Sequence, residues 1–145
     1  MAQVLRCLSF AMNQATNAHS SKLCRRILLV CPKPSDAVEK ALANSGSVVV
    51  IARDGATAIS QARAELFDAA VLVSTGREMG LAATALNLRA VRVSMPIVIA
   101  TGLVETGETN RRREMVASLI PNTKLLDVAG FASFFRELAE MEAEG

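Results

Sequence analysis

Five short runs of aliphatic residues, each followed by a stretch with helical spacing, constrain the fold of this chain more than any other feature. They are Ile27 to Val30, Val48 to Ile51, Ala70 to Val73, Ile97 to Ala100 and the shorter Lys124 to Leu126. The first four are apolar at every position. A strand that faces water on one side alternates polar and apolar residues, whereas a strand buried on both faces does not. Each run is bounded by breakers: Pro32 and Pro34, Asp54-Gly55, Ser74-Thr75-Gly76, then Pro96 before the fourth run and Thr101-Gly102 after it. The β-branched content of Val48 to Ile51 favours a strand over a buried helix. Strand and helix alternate five times within about 120 residues, which calls for an α/β domain with helices on both sides of a sheet. Right-handed crossovers then give a doubly wound, five-stranded parallel sheet in the order 2-1-3-4-5. A ligand on such a sheet sits where strands one and three end, here beside Cys31 and Ser74.

The helical stretches carry stripes that should face the sheet. Ser35 can cap a first helix that turns Val38, Ala41 and Leu42 inward. Asp54-Gly55 leads into a second with Ala56, Ile59, Ala62 and Leu66 on one line. A third, from Leu81 to Ala90, has Leu81, Ala82, Ala85 and Leu86 spaced to pack. Thr109 is placed to cap a fourth, with Met115, Val116, Leu119 and Ile120 inward. In the last, Phe131, Phe134, Phe135 and Leu138 recur at the spacing of a docked amphipathic helix. The domain so defined covers residues 25–145. Residues 1–24 read as an extension, helical or poorly ordered: Val4, Leu5, Leu8 and Met12 share a helical face, and Asn13 to Ser21 suits a linker. Arg6 and Cys7 interrupt the apolar run and make it a poor signal peptide.

Composition narrows the function classes. Hydrophobic residues make up 51% of the 145, yet there are five Phe and no Trp or Tyr, which leaves few platforms for stacking nucleic-acid bases. A net charge of +2 supplies no global field toward DNA or anionic lipid. No apolar run approaches the roughly 20 residues that span a bilayer. Cys7, Cys24 and Cys31 are odd in number and form no CxxC pair, as expected of free thiols in a reducing, cytoplasmic setting. His19 has no companion at ligand spacing, so neither a metal nor a cofactor is expected.

Several segments, in the right order, resemble response-regulator receiver domains of the CheY-like superfamily. Arg26 to Val30 is similar to the opening strand of that family. Ala52 to Ser60 is similar to its second strand running into an Asp-Gly helix start. Phe67 to Val73 has the Asp that precedes the acceptor strand, and Met95 to Thr101 has the proline-led fourth strand ending in a hydroxyl residue. The resemblance covers about Arg25 to Glu142 and implies a flavodoxin-like, receiver-like fold and a place in two-component signalling.

That chemistry can be checked position by position. Phosphoryl transfer to a carboxylate needs an acidic pair after the first strand to hold Mg²⁺ through hard oxygen ligands. It also needs an acceptor Asp at the end of strand three, a hydroxyl after strand four and a Lys after strand five to meet the new charge. The resemblance places Cys31-Pro32 at the acidic pair, Val73 or Ser74 at the acceptor and Asp127 at the lysine; Thr101 alone is kept. Asp36 and Glu78 are nearby carboxylates, the first in a favourable place at a helix start in any case. The expectation is a degenerate pseudo-receiver that is not an enzyme and is not phosphorylated at an Asp.

Two further features bear on function. Cys31 follows a buried strand and precedes a helix start, a setting that can activate a thiol. The stretch Ile27 to Cys31 also resembles the phosphocysteine-bearing subunits of sugar phosphotransferases, so the alternative is a cysteine-based phosphocarrier or phosphatase-like enzyme. Against it, Pro32-Lys33-Pro34-Ser35 has no glycine and lacks two of the amides a phosphate cradle would use. A flavin or nucleotide site would want a glycine-rich loop and an aromatic over the ring; no such loop follows strand one, and the chain has neither Trp nor Tyr. Arg111, Arg112 and Arg113 open the fourth helix, where basic residues oppose the dipole. The resemblance makes the face of helix 4, strand 5 and helix 5 the contact surface, for another signalling protein or for a second copy in a homodimer, with these arginines as the partner-binding residues.

Overall fold

The first apolar run begins earlier than its pattern suggests, because Arg25 and Arg26 already pair with the neighbouring strand: β1 spans Arg25–Val30. The computed structural model describes residues 25–33, 36–74, 79–101 and 107–144, so the expected extension over residues 1–24 lies outside the described residues. The other strands are β2 (Ser47–Ala52), β3 (Ala69–Leu72), β4 (Ile97–Thr101) and β5 (Thr123–Asp127). The helices are α1 (Asp36–Asn44), α2 (Gly55–Ala64), α3 (Leu81–Val91), α4 (Gly107–Leu119) and α5 (Phe131–Glu144), with a 3-10 turn at Val128–Gly130 leading into the last. All pairings are parallel and the sheet order is β2-β1-β3-β4-β5, as the continuous apolar runs predict. No helix among the described residues is long and apolar enough to cross a membrane.

Strand side chains alternate between two cores. Ile27, Leu29, Val71 and Val98 pack under α1 and α5, against Val38, Leu42, Phe131 and Phe135. Leu28, Val30, Ala70, Leu72, Ile97 and Ile99 pack on the opposite face against α2, α3 and α4. In the first layer the expected stripes are the ones that bury. Phe131 and Phe135 meet edge to face at 6.2 Å, and Phe134 meets Phe135 at 5.1 Å. Each fully buried Phe contributes about 1.5–3 kcal/mol.

The second layer departs from expectation in three helices. In α2 the buried line is Gly55, Ala58, Ile59 and Ala62; the helix ends at Ala64, and Leu66 is 74% exposed beyond it. In α3 the buried residues are Thr84, Ala85 and Leu88, while Ala82 and Leu86 are exposed. In α4 Val116 and Ile120 are buried, but Met115 and Leu119 face solvent. That helix starts at Gly107, so Thr109 lies inside it rather than at its cap. The arginine triplet therefore falls in the second turn, where the dipole penalty has largely faded.

Contacts differ along this layer as well. Asp54 caps α2 by accepting from Thr57 N at 2.7 Å. Gly55 then packs so closely on Thr84 of α3 that any Cβ there would run into the threonine hydroxyl. The Thr84 hydroxyl is fully buried and has no hydrogen-bond partner. So α2 and α3 are pressed together, whereas α3 touches α4 only sparsely.

Candidate functional site

The register levels the strand ends where a doubly wound sheet places its site. Val30 pairs with Leu72 and Leu72 with Ile99, so Cys31, Val73 and Ala100 form the next row. The following row holds Pro32, Ser74 and Thr101, and Thr101 pairs with Asp127 of β5. The structure thus brings together all the positions where phosphorylation chemistry was sought.

Apart from Thr101, none of these positions carries the residue type that such chemistry uses. Cys31 is 5% exposed, and its thiol donates to the carbonyl of Lys33 at 2.6 Å, closing a small turn over Pro32. The thiol is thus buried and directed at a carbonyl, unlike an exposed nucleophile. Its own carbonyl accepts from Arg53 at 3.3 Å. The Val73 side chain is buried with Cys31 and Ala100 in the α1/α5 core, and its amide donates to Val30 O at 3.0 Å. Ser74 is exposed and Thr101 half-buried. Asp127 caps the turn into α5, its carboxylate accepting from Gly130 N at 2.9 Å. Where the resemblance wanted a cation, this carboxylate holds a helix start.

A cation does reach the strand ends, from another element. Arg113 of α4 is half-buried and extends its guanidinium to the strand ends. It donates to Val73 O at 2.9 Å and to Ala100 O. A planar fork with several N–H groups suits two carbonyls from adjacent strands, and the bonds are charge-assisted. Arg113 therefore works as a clasp between α4 and the ends of β3 and β4, while Arg111 and Arg112 stay on the exposed surface. The sequence presented the three as one patch. The signal that separates them is helical spacing, because Arg113, Val116 and Ile120 fall on the buried stripe.

A second arginine that sequence reading missed fastens the other end of this layer. Arg89, near the end of α3, donates to the carbonyls of Arg92, Val93 and Met95 at 3.0, 3.0 and 2.6 Å, and to Asn122 O in the turn after α4 at 3.0 Å. Burial pushes its pKa down from the ordinary arginine value. Beside the Arg113 clasp, α3 and α4 leave a groove of about 420 Å³ lined by Ser74, Leu81, Ala82, Arg112, Met115 and Val116, among others.

These residues do not fit the magnesium ion that the resemblance implies. Its acidic pair is replaced by a thiol in use as a donor and a proline, and the Val73 carbonyl already meets a guanidinium. The described residues contain no group of three His, Cys, Asp or Glu that could hold a metal; Glu78 and the side chain of Asp36 lie outside them.

No protein-family model matches the chain, and no curated protein matches it at a significant level. Solved structures do. A CheY-like response regulator receiver domain protein from Methanospirillum hungatei JF-1 superposes with a TM-score of 0.64 at 20% identity, over 84% of this chain and 99% of that one. The chemotaxis protein CheY4 of Vibrio cholerae gives 0.60 at 19% identity, over 79% and 98%. The receiver domain of the sensor histidine kinase PA1611 from Pseudomonas aeruginosa PAO1, with a magnesium ion coordinated in its active-site cleft, gives 0.64 at 18% identity, over 80% and 98%. In sheet order, helix placement and the level of its strand ends, this chain has the fold of the CheY-like receiver domains.

Proposed function

We propose that this chain is a non-catalytic pseudo-receiver, a signalling module that acts by contact with another protein or a second copy and is not phosphorylated at an aspartate. The observation that carries this reading is the Arg113 clasp. In the receiver scheme, a carboxylate at the end of strand three gains charge and the hydroxyl after strand four responds. Here the end of β3 is a buried valine, and its carbonyl and that of Ala100 are joined by a guanidinium from α4. The α4 helix is thus tied to the sheet edge by the chain's own cation rather than by a phosphoryl group, and its outer surface is presented without an input from phosphate. The exposed Arg111 and Arg112 are the first candidates for contact with a partner. The Cys31 alternative loses ground to the bond from its thiol to Lys33 O.

The test is intact-mass analysis of the full chain after incubation with acetyl phosphate and Mg²⁺, with beryllofluoride binding followed in parallel. The expected result is no adduct and no binding. A stoichiometric, acid-labile adduct would overturn the reading, and mapping it to Cys31 or to a carboxylate would identify the chemistry that replaced it.

A further inference from the structure

Resting on that reading, we infer that the contact surface is the groove between α3 and α4, and that its occupant is an amphipathic helix of a partner protein with carboxylates at one end. The argument begins with which way α4 turns. With Val116 and Ile120 buried, a rotation of 100° per residue puts Arg112, Leu119 and Met115 along one flank, Ala117 and Glu114 along the other, and Arg111 on the outer face. Arg112 and Met115 line the groove together with Leu81 and Ala82 of α3, so the flank that carries Arg112 faces α3. The basic and apolar stripe therefore opens on the α3–α4 groove, away from the β5 and α5 side.

Apolar surface concentrates there. Five large hydrophobic side chains are exposed among the described residues; four belong to α3, α4 or the turn just after α3, and Met115 lines the groove itself. Met115 lines the groove at 61% exposure, and Leu119, one turn further on along the same flank of α4, is 73% exposed. On α3, Leu86 lies one turn below the groove-lining Ala82 and Val93 just past the helix end, at 58% and 76% exposure. Single exposed leucines are ordinary, but a contiguous strip rimmed by charge marks an interaction site.

Shape and charge choose the occupant. The strip from Arg112 to Leu119 is about 11 Å long at 1.5 Å per residue, matching two turns of a docked helix read at i, i+3, i+4 and i+7. It extends past the enclosed part of the groove toward Val93, further than one small ligand would cover. Its upper end carries Arg112, with Arg111 beside it on the outer face, and the start of α3, whose cap Gly80 offers no side-chain acceptor to its first amides; guanidinium groups and a helix start both favour carboxylates on a partner. Arg113 at one end and Arg89 at the other fix both helices before anything binds, which spares the partner the cost of forming the groove.

The probe is a fluorescein-labelled synthetic amphipathic peptide of about four helical turns, with leucines on one face and three glutamates at one end, beside a twin with lysines in their place. Both are titrated against the full chain by anisotropy, with amide shifts mapped by ¹H–¹⁵N NMR. The acidic peptide is expected to bind and to shift Leu86, Met115 and Leu119. Met115→Glu and Leu119→Glu should each weaken it about tenfold or more, with unchanged thermal melts because both positions are exposed. Arg111→Glu with Arg112→Glu should transfer preference to the lysine peptide. Shifts confined to β5 and α5 would overturn the groove while leaving a protein-contact role intact. Failure of the acidic peptide to bind would overturn it too, as would full displacement of that peptide by inorganic phosphate. So would concentration-dependent dimerisation abolished by Leu119→Glu, which would put a second copy in the groove. An acetyl phosphate adduct bears only on the pseudo-receiver reading.

Discussion

The two faces of the sheet are built from similar strands and covered in different ways. Under α1 and α5 the seal is aromatic: Phe131 and Phe135 are fully or nearly fully buried and Phe134 leans on them. On the other face the core also holds Phe67, Leu28, Leu72, Ile97 and Ile99, but α2, α3 and α4 themselves bury no aromatic, and particular contacts add order: a glycine against a threonine, and two arginines gripping backbone carbonyls. The first face spends its large apolar side chains on the core. The second does so too, with Leu28, Leu72, Leu88, Ile97 and Ile99, but its helices also leave Leu86, Met115 and Leu119 outside. Of the five large apolar side chains exposed among the described residues, four lie on α3, α4 or the turn just after α3 rather than being scattered. That distribution separates a surface with a task from one that is merely imperfect.

The largest expected effect comes from breaking the aromatic face. Phe135→Ala should cost about 3–5 kcal/mol, since the rigid layer around it cannot collapse into the space. Against a total of about 5–15 kcal/mol for a domain of this kind, that is enough to unfold much of the population near body temperature. Leu119→Ala, which removes an equally apolar side chain from the groove, should change stability by no more than about 0.5 kcal/mol. Urea midpoints of the two variants make the comparison direct. Equal losses would mean that Leu119 is part of a core, and the contrast between the faces would fall.

Next in size is the clasp. Arg113→Met keeps most of the side chain's apolar length and removes its donors, so Val73 O and Ala100 O lose a charged partner. The expected cost is about 1–2 kcal/mol, less than two fully buried charge-assisted bonds because the guanidinium is partly hydrated. Arg111→Met should stay within about 0.5 kcal/mol. Amide exchange sharpens the reading. Protection should fall along α4 and at the ends of β3 and β4 in Arg113→Met, with α1 and α5 unaffected. Uniform loss over the whole domain would mean that the arginine supports global stability and does not act as a local tie.

What could be seen in the sequence divides along the same line. The strands, their order and the inward faces of α1 and α5 were legible because full burial writes an unbroken apolar run or a single unambiguous stripe. In α4, Met115, Val116, Leu119 and Ile120 offer two overlapping stripes one residue apart, and periodicity cannot choose between them. The choice is made by Arg113, which shares the stripe of Val116 and Ile120 and is drawn in by carbonyls that the fold, not the local sequence, places beneath it. Leu66 misled in another way, because α2 stops at Ala64 before the periodic pattern does. At the site, the residues that replace the carboxylates could be read off the sequence by position. The bond from the Cys31 thiol to Lys33 O, and the capping role of Asp127, depend on the turns that follow each strand.

The smallest effect concerns the cap that starts α2. Asp54 accepts from Thr57 N, and that backbone hydrogen bond, followed by the Thr57 side-chain contact, lowers its pKa from the ordinary aspartate value. A carboxylate whose pKa is lowered in the folded state stabilises the fold above its unfolded pKa, and the contribution disappears as pH falls through the folded one. The stability difference between the natural chain and Asp54→Ala should therefore be constant around neutrality and shrink in acid below about pH 4. Other carboxylates titrate in both proteins and cancel in the difference, so the change isolates this cap. The difference should narrow without vanishing, since a protonated carboxyl still has an oxygen able to accept from Thr57. Melting curves of the two proteins across that range make the measurement, and added salt should leave it largely intact because the dominant partner is an adjacent amide rather than a distant charge. A difference that grew in acid would reverse the sign of the linkage and place the stabilisation on the protonated form. The start of α2, and with it the Gly55–Thr84 contact, would then depend on something other than the cap.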